Sequence, residues 1–198
     1  MKDTANIMEV AGLYPEYMGF IFYAQSPRYV GTDFQMPEIP YPIKKVGVFV
    51  NEKSQVIISK VEKYKLDSVQ LHGQESEEFC KNLSKDVQLI KAFGVDEDFD
   101  FSTIEKYSPF CDYFLFDTKT AGHGGSGSKF DWAILERYKG QKPFFLSGGI
   151  GLEDVAGIRH LTKSGHKMHA IDVNSKFEPA PGLKDIHKLQ LLTHELSG

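Results

Sequence analysis

Short apolar runs rich in β-branched and aromatic residues recur along the chain: Met18 to Phe22, Lys45 to Val50, Ser68 to Leu71, Gln88 to Phe93, Tyr113 to Phe116, Pro143 to Leu146 and His169 to Val173. Runs of this length read as seven buried strands. Between them apolar positions recur at helical spacing, as in Val56, Ile57, Val61 and Tyr64, or Phe79, Leu83 and Val87. That spacing places them on one helix face. The pattern therefore predicts strand alternating with helix throughout. Parallel strands need crossover connections and are shielded on both faces, so the fold class is α/β with a parallel sheet.

Before the first predicted strand the chain reads as a helix, with Asp3 or Thr4 as N-cap and Ile7, Met8, Val10 and Ala11 as its apolar face. Polar or glycine residues follow the strands: Ser26 and Arg28, Asn51, His72 and Gly73, Gly94, Asp117, Gly148 and Gly149, Asn174 and Ser175. In a closed sheet these positions ring one face, where active sites are built, and no Rossmann-type fingerprint opens the chain. The expectation is a parallel (β/α)8 TIM barrel forming one domain over residues 1–198. The long irregular stretches, Tyr23 to Tyr41 and Lys119 to Lys129, follow strands and have the position of functional loops.

Composition narrows the function. The 198 residues carry a net charge of -4 with pI near 6.0, and their basic residues are dispersed, which argues against nucleic acid. No apolar run is long enough for a bilayer and no secretory pattern opens the sequence, so a cytoplasmic protein without a membrane partner is expected. Cys80 and Cys111 lack metal-site spacing and read as reduced thiols; the histidines show no ligand constellation, and no metal is expected.

The strongest chemical signal is a pair of loops. Leu146-Ser147-Gly148-Gly149-Ile150 and Asp172-Val173-Asn174-Ser175 each follow a strand. Glycine permits close backbone approach, and Asn174, Ser175 and free N–H groups can donate to phosphate oxygens. The plain alternative is that Gly148-Gly149 only makes a tight turn. Asp117, at the mouth of an apolar strand, suits a general acid, or else a carboxylate that caps the loop or pairs with Lys119. Arg28, on the proline-stiffened Ser26-Pro27-Arg28-Tyr29 segment, can grip a carboxylate or phosphate through two parallel hydrogen bonds, or form an ordinary salt bridge. Gln70 and His72 alternate along one strand and share a face, as site residues or as satisfied interior groups. His123 and the run Gly122 to Gly127 have the composition of a lid or of a flexible turn.

Together these segments resemble phosphoribosylanthranilate isomerase over nearly the whole chain. The carrying motifs are Gly19-Phe20-Ile21-Phe22 with Ser26-Pro27-Arg28-Tyr29-Val30, Val69-Gln70-Leu71-His72-Gly73, Phe116-Asp117, and Gly124-Gly125-Ser126-Gly127 with Phe130-Asp131-Trp132. Leu146-Ser147-Gly148-Gly149-Ile150 comes next, then Asp172-Val173-Asn174-Ser175 with Glu178, Pro181-Gly182 and Lys184-Asp185. The resemblance implies a β/α barrel that performs the Amadori rearrangement of N-(5'-phosphoribosyl)anthranilate to 1-(o-carboxyphenylamino)-1-deoxyribulose 5-phosphate in tryptophan biosynthesis, without a cofactor. It implies Asp117 as the general acid that opens the ribose ring to a Schiff base. Arg28 would face the anthranilate end, Gln70, His72 and Asp172 would line the site, and Gly148, Gly149, Asn174 and Ser175 would hold the phosphate. The implied partner is the phosphosugar itself, bound by a monomer or homodimer.

In that family a base cysteine ends the first strand, in a Lys-hydrophobic-Cys-Gly-Met pattern, and Met1-Lys2-Asp3 resembles the stretch just after that cysteine. The first strand and its cysteine are thus expected to be missing from the chain as written, with impaired catalysis. Neither Cys80 nor Cys111 matches the position. Two other readings stand beside the isomerase. One is another phosphosugar barrel enzyme, such as the next lyase of tryptophan synthesis, which would be expected to need a catalytic lysine and a longer N-terminal region. The other is a non-catalytic barrel that retains phosphate recognition.

Overall fold

In the computed structural model, which describes residues 1–119 and 130–197, seven strands form one parallel sheet in sequential order. They are β1 (Tyr17–Ile21), β2 (Lys44–Phe49), β3 (Ser68–Leu71), β4 (Gln88–Val95), β5 (Tyr113–Thr118), β6 (Phe144–Leu146) and β7 (Met168–Ile171). All lie within a few residues of the expected runs; β7 stops before Asp172, leaving that residue at the strand's end. The helices are α1 (Thr4–Ala11), α2 (Ser54–Tyr64), α3 (Glu77–Leu83), α4 (Val155–Lys163) and α5 (Ile186–Ser197). Among the described residues no strand pairs with the outer edge of β1 or of β7, so hydrogen bonding runs along the seven strands without closing into a ring.

Alternation along the strands sorts the side chains into two layers. Val46, Ile90, Ala92, Leu115 and Phe145 pack together inside the curve of the sheet. Their neighbours Val69, Leu71, Phe114, Phe116, Phe144 and Leu146 face the helices and join the large outer core. A period of two carries this parity past the strand ends: Gln70 and His72 continue the inner face of β3, Asp117 follows Leu115, Ser147 follows Phe145, and Asp172 follows Ala170. Strand register brings these ends level, with Phe116 beside Leu146 and Leu146 beside Ile171.

Helix does not alternate with strand throughout. Residues 22–43 join β1 to β2 without a helix, held by a bridge between Ile21 and Tyr29 and by the burial of Val30 and Phe34. Pro27, Pro37, Pro40 and Pro42 remove the N–H groups a helix would need. Among the described residues the connections after β4 and β5 carry 3-10 turns, Phe101–Tyr107 and Trp132–Arg137, in place of α-helices. Asp3, not Thr4, caps α1, its carboxylate accepting from Asn6 N at 2.8 Å. Ile7, Val10 and Ala11 are buried as expected, whereas Met8 points outward and is 43% exposed.

Candidate active site

The C-terminal ends of the strands surround a cavity of about 350 Å³. It is lined by Arg28, Gln70, His72, Asp117, Gly148, Gly149, Asp172, Asn174 and Ser175, whereas the strand-end residues Asn51, Gly73 and Gly94 do not face it. The cavity continues toward the seam between β1 and β7, where Leu13, Tyr14 and Pro15 face it from one side and Leu189 and Thr193 of α5 from the other.

At its centre is a chain of polar contacts. The Gln70 amide nitrogen lies 2.8 Å from His72 Nδ1, and His72 Nε2 lies 3.4 Å from Asp117 Oδ2. An amide nitrogen donates, so Nδ1 accepts from Gln70 and the Nε2 edge of the ring faces the Asp117 carboxyl group. Asp117 Oδ1 accepts from Thr118 N at 2.8 Å. The pairing with Lys119 is not formed, because that side chain turns away to Asp96.

Gly148 shows why a glycine is needed beside this carboxylate. Its φ is 96°, and a Cβ there would collide with Thr118 Oγ1 and lie 3.0 Å from Asp117 Oδ1. Gly149 is also left-handed, at φ 62°. Two such residues in succession open the loop, and among the described residues the N–H groups of Gly148, Gly149, Asn174 and Ser175 have no protein acceptor. They are donors available at neighbouring strand ends, an arrangement suited to an anion.

Asp172 accepts from Ser147 Oγ and from Asn174 Nδ2, each at 3.3 Å. Burial pushes its carboxyl above the usual carboxylate range; Lys184 pulls it back down and Asp117 adds to the rise. Arg28 donates through Nε to Glu178 Oε2 at 2.8 Å, and Glu178 Oε1 accepts from Lys184 Nζ at 3.1 Å. Glu178 and Lys184 stood in the sequence as motif positions without a role. The signal that could have drawn attention to them was two charged residues beside the Asn174-Ser175 loop.

A second buried charge pair was missed outright. Lys91, in the middle of β4, has the outward parity and meets Glu75 Oε2 at 3.1 Å, both side chains almost fully buried. A lysine inside an apolar strand run was the available sign. Its ammonium also donates to the carbonyls of Leu71 and Gly73, and Glu75 accepts from Gly73 N, so the pair braces the turn just beyond His72.

Cys80 and Cys111 are free thiols buried in the outer core, away from the cavity. His123 and the run Gly122 to Gly127 lie outside the described residues. Among the described residues no group of three or more His, Cys, Asp or Glu side chains is gathered as for a metal, and no helix is long and apolar enough to cross a membrane.

Comparison with known proteins bears on the family and the fold. The family described as "N-(5'phosphoribosyl)anthranilate (PRA) isomerase" matches residues 1–195. The N-(5'-phosphoribosyl)anthranilate isomerase of Parabacteroides distasonis is 47% identical over 195 residues, covering 96% of this chain and 87% of the relative. That of Thermotoga maritima is 34% identical over 185 residues, covering 91% and 87%. A crystal structure of the Thermotoga maritima enzyme superposes with a TM-score of 0.82 at 30% identity, covering 100% of this chain and 96% of the other. A second structure, of phosphoribosyl anthranilate isomerase in complex with reduced 1-(o-carboxyphenylamino)-1-deoxyribulose 5-phosphate, superposes at 0.78 with 27% identity, covering 100% and 95%.

Proposed function

From the premise that the chain belongs to the N-(5'-phosphoribosyl)anthranilate isomerase family, we propose that the cavity at its strand ends is where the isomerisation of tryptophan biosynthesis is carried out. The observation that carries the reading is the line Gln70, His72, Asp117, ending at one wall of a cavity whose other walls are Arg28 and two loops with available N–H donors.

In this reading the phosphate of the ribosyl group sits between Gly148-Gly149 and Asn174-Ser175, and the anthranilate carboxylate meets Arg28. Asp117 delivers a proton to the ribose ring oxygen as the bond from C1' to that oxygen breaks, leaving the Schiff base. The His72 Nε2–H then stabilises the carboxylate that remains. A general base then takes the C2' proton to give the enolamine, which becomes the ketone as C1' gains a proton and the C2' hydroxyl loses one. Neither thiol of this chain reaches the cavity, so the base role is not assigned to Cys80 or Cys111. The substrate is a small phosphosugar, taken up by a cytoplasmic monomer or homodimer built as one domain.

The test is conversion of N-(5'-phosphoribosyl)anthranilate by the purified protein, followed together with binding of the reduced product analogue. Turnover that depends on Asp117 supports the reading. Tight binding with no turnover would instead identify a non-catalytic phosphosugar-binding barrel.

A further inference from the structure

We propose that Glu178 and Lys184 form the positioning support of Arg28, and that this support gives the cavity its preference for a ligand with a carboxylate on its aromatic end. The proposal rests on the reading of Arg28 as the group that meets that carboxylate.

Glu178 does not line the cavity; its side chain is 3% exposed and sits behind Arg28. Each of its oxygens is engaged by a different cation, Oε2 by Arg28 Nε and Oε1 by Lys184 Nζ. Holding a guanidinium by Nε fixes its plane while leaving terminal nitrogens for a second partner. Those terminal nitrogens make no hydrogen bond among the described residues, and Arg28 itself lines the cavity.

Charge balance explains the lysine. Arg28 and Glu178 alone would be a neutral pair with little attraction for an anion. Lys184 returns the three-residue group to a net positive charge. Its ammonium is pinned by Val173 O at 2.6 Å and Asn174 Oδ1 at 3.0 Å. Its main chain is clamped by the buried Asn6 of α1, which accepts from Lys184 N at 2.7 Å and donates to Lys184 O at 2.9 Å. The support therefore runs from α1 through Lys184 and Glu178 to the guanidinium. Burial pushes both the Asp172 carboxyl and the Lys184 ammonium toward their neutral forms, and the neighbouring Glu178 and Asp172 carboxylates act in the opposite direction on Lys184, favouring its charge.

The experiment compares two ligands by calorimetry: the reduced 1-(o-carboxyphenylamino)-1-deoxyribulose 5-phosphate, and its anilino counterpart lacking the carboxylate. The proteins are wild type, Lys184→Met, the double variant Glu178→Gln with Lys184→Met, Lys184→Arg, and Arg28→Leu. Wild type should prefer the carboxylate ligand. That preference should fall roughly tenfold or more in Lys184→Met, which leaves a neutral Arg28–Glu178 pair, and in the double variant, which keeps the net charge but loses the carboxylate that fixes the guanidinium plane. Lys184→Arg should keep most of it. The double variant removes both supporting charges and keeps the test open if the single variant folds poorly. If both variants weaken the two ligands equally and leave the preference intact, Glu178 and Lys184 are merely structural and the proposal is overturned. A wild type without preference, or an Arg28→Leu protein that retains it, overturns the assignment of Arg28 and this proposal with it.

Discussion

The Tyr17 hydroxyl on β1 meets His169 Nε2 on β7 at 2.8 Å, joining two strands that share no backbone hydrogen bond. Around this contact the His169 ring stacks on Tyr113 at 4.5 Å, and Tyr17 packs edge-on against Phe145 at 5.0 Å. The two edges of the sheet are thus tied at their N-terminal ends by side chains. Tyr17→Phe keeps the ring packing and removes only the hydroxyl. It removes the bond to His169 and the one accepted from Lys44 Nζ at 3.2 Å, and should destabilise the fold by about 0.5–1.5 kcal/mol for each hydrogen bond lost. Urea unfolding should show a lower midpoint at unchanged slope; an unmoved midpoint would mean that the contact adds no stability.

Asp117→Asn preserves shape but cannot deliver the proton that opens the ring. Turnover should fall by about 10²–10⁴, the range of general acid–base catalysis, while the KM changes little. Steady-state kinetics on N-(5'-phosphoribosyl)anthranilate separate the two parameters. Near-normal kcat would remove Asp117 from the acid role.

Asp172 makes stability depend on pH in a defined direction. Its folded-state pKa is raised, so the fold holds the proton more firmly than the unfolded chain does. That contribution is fully present below the ordinary carboxylate pKa of about 4 and is lost as pH rises through the raised value. Asp172→Asn removes the titration. The stability of the variant relative to wild type should therefore increase between pH 4 and pH 7, as read from guanidinium unfolding at each pH. A difference that stays constant with pH would contradict the assignment.

The Lys91–Glu75 pair predicts a contrast between single and double substitutions. Glu75→Ala leaves a buried ammonium without its counter-charge and should cost about 3–5 kcal/mol. Lys91→Met combined with Glu75→Gln removes both charges and should cost clearly less, since the amide can still accept from Gly73 N. Chemical denaturation of the three proteins tests this, and equal losses in both variants would show that the charges are not coupled.

The strand positions were legible because a parallel strand covered on both faces is a short, continuous apolar run, as in Phe114 to Phe116 or Phe144 to Leu146, and this is a local property of the sequence. The candidate site was legible for the same reason. Once strands are placed, the polar residues at their ends fall on one rim, and period-two alternation directs Gln70, His72 and Asp117 to the same side. The helical crossovers were less so. Pro27, Pro37, Pro40 and Pro42 kept residues 22–43 irregular, and the short apolar spacings after β4 and β5 wound into 3-10 turns, where packing against the sheet outweighed the weak local preference.

The order of strands and the identity of the polar residues beside them were determined by the sequence alone, because both arise from interactions between near neighbours. Only the tertiary structure decided which of those groups meet. Arg28 and Glu178 are 150 positions apart, and Tyr17 and His169 are 152 apart. Nothing in the local pattern of either partner specifies the other. Their contact exists because a curved parallel sheet brings its first and last strands near each other, and because buried charges left there are stable only when paired.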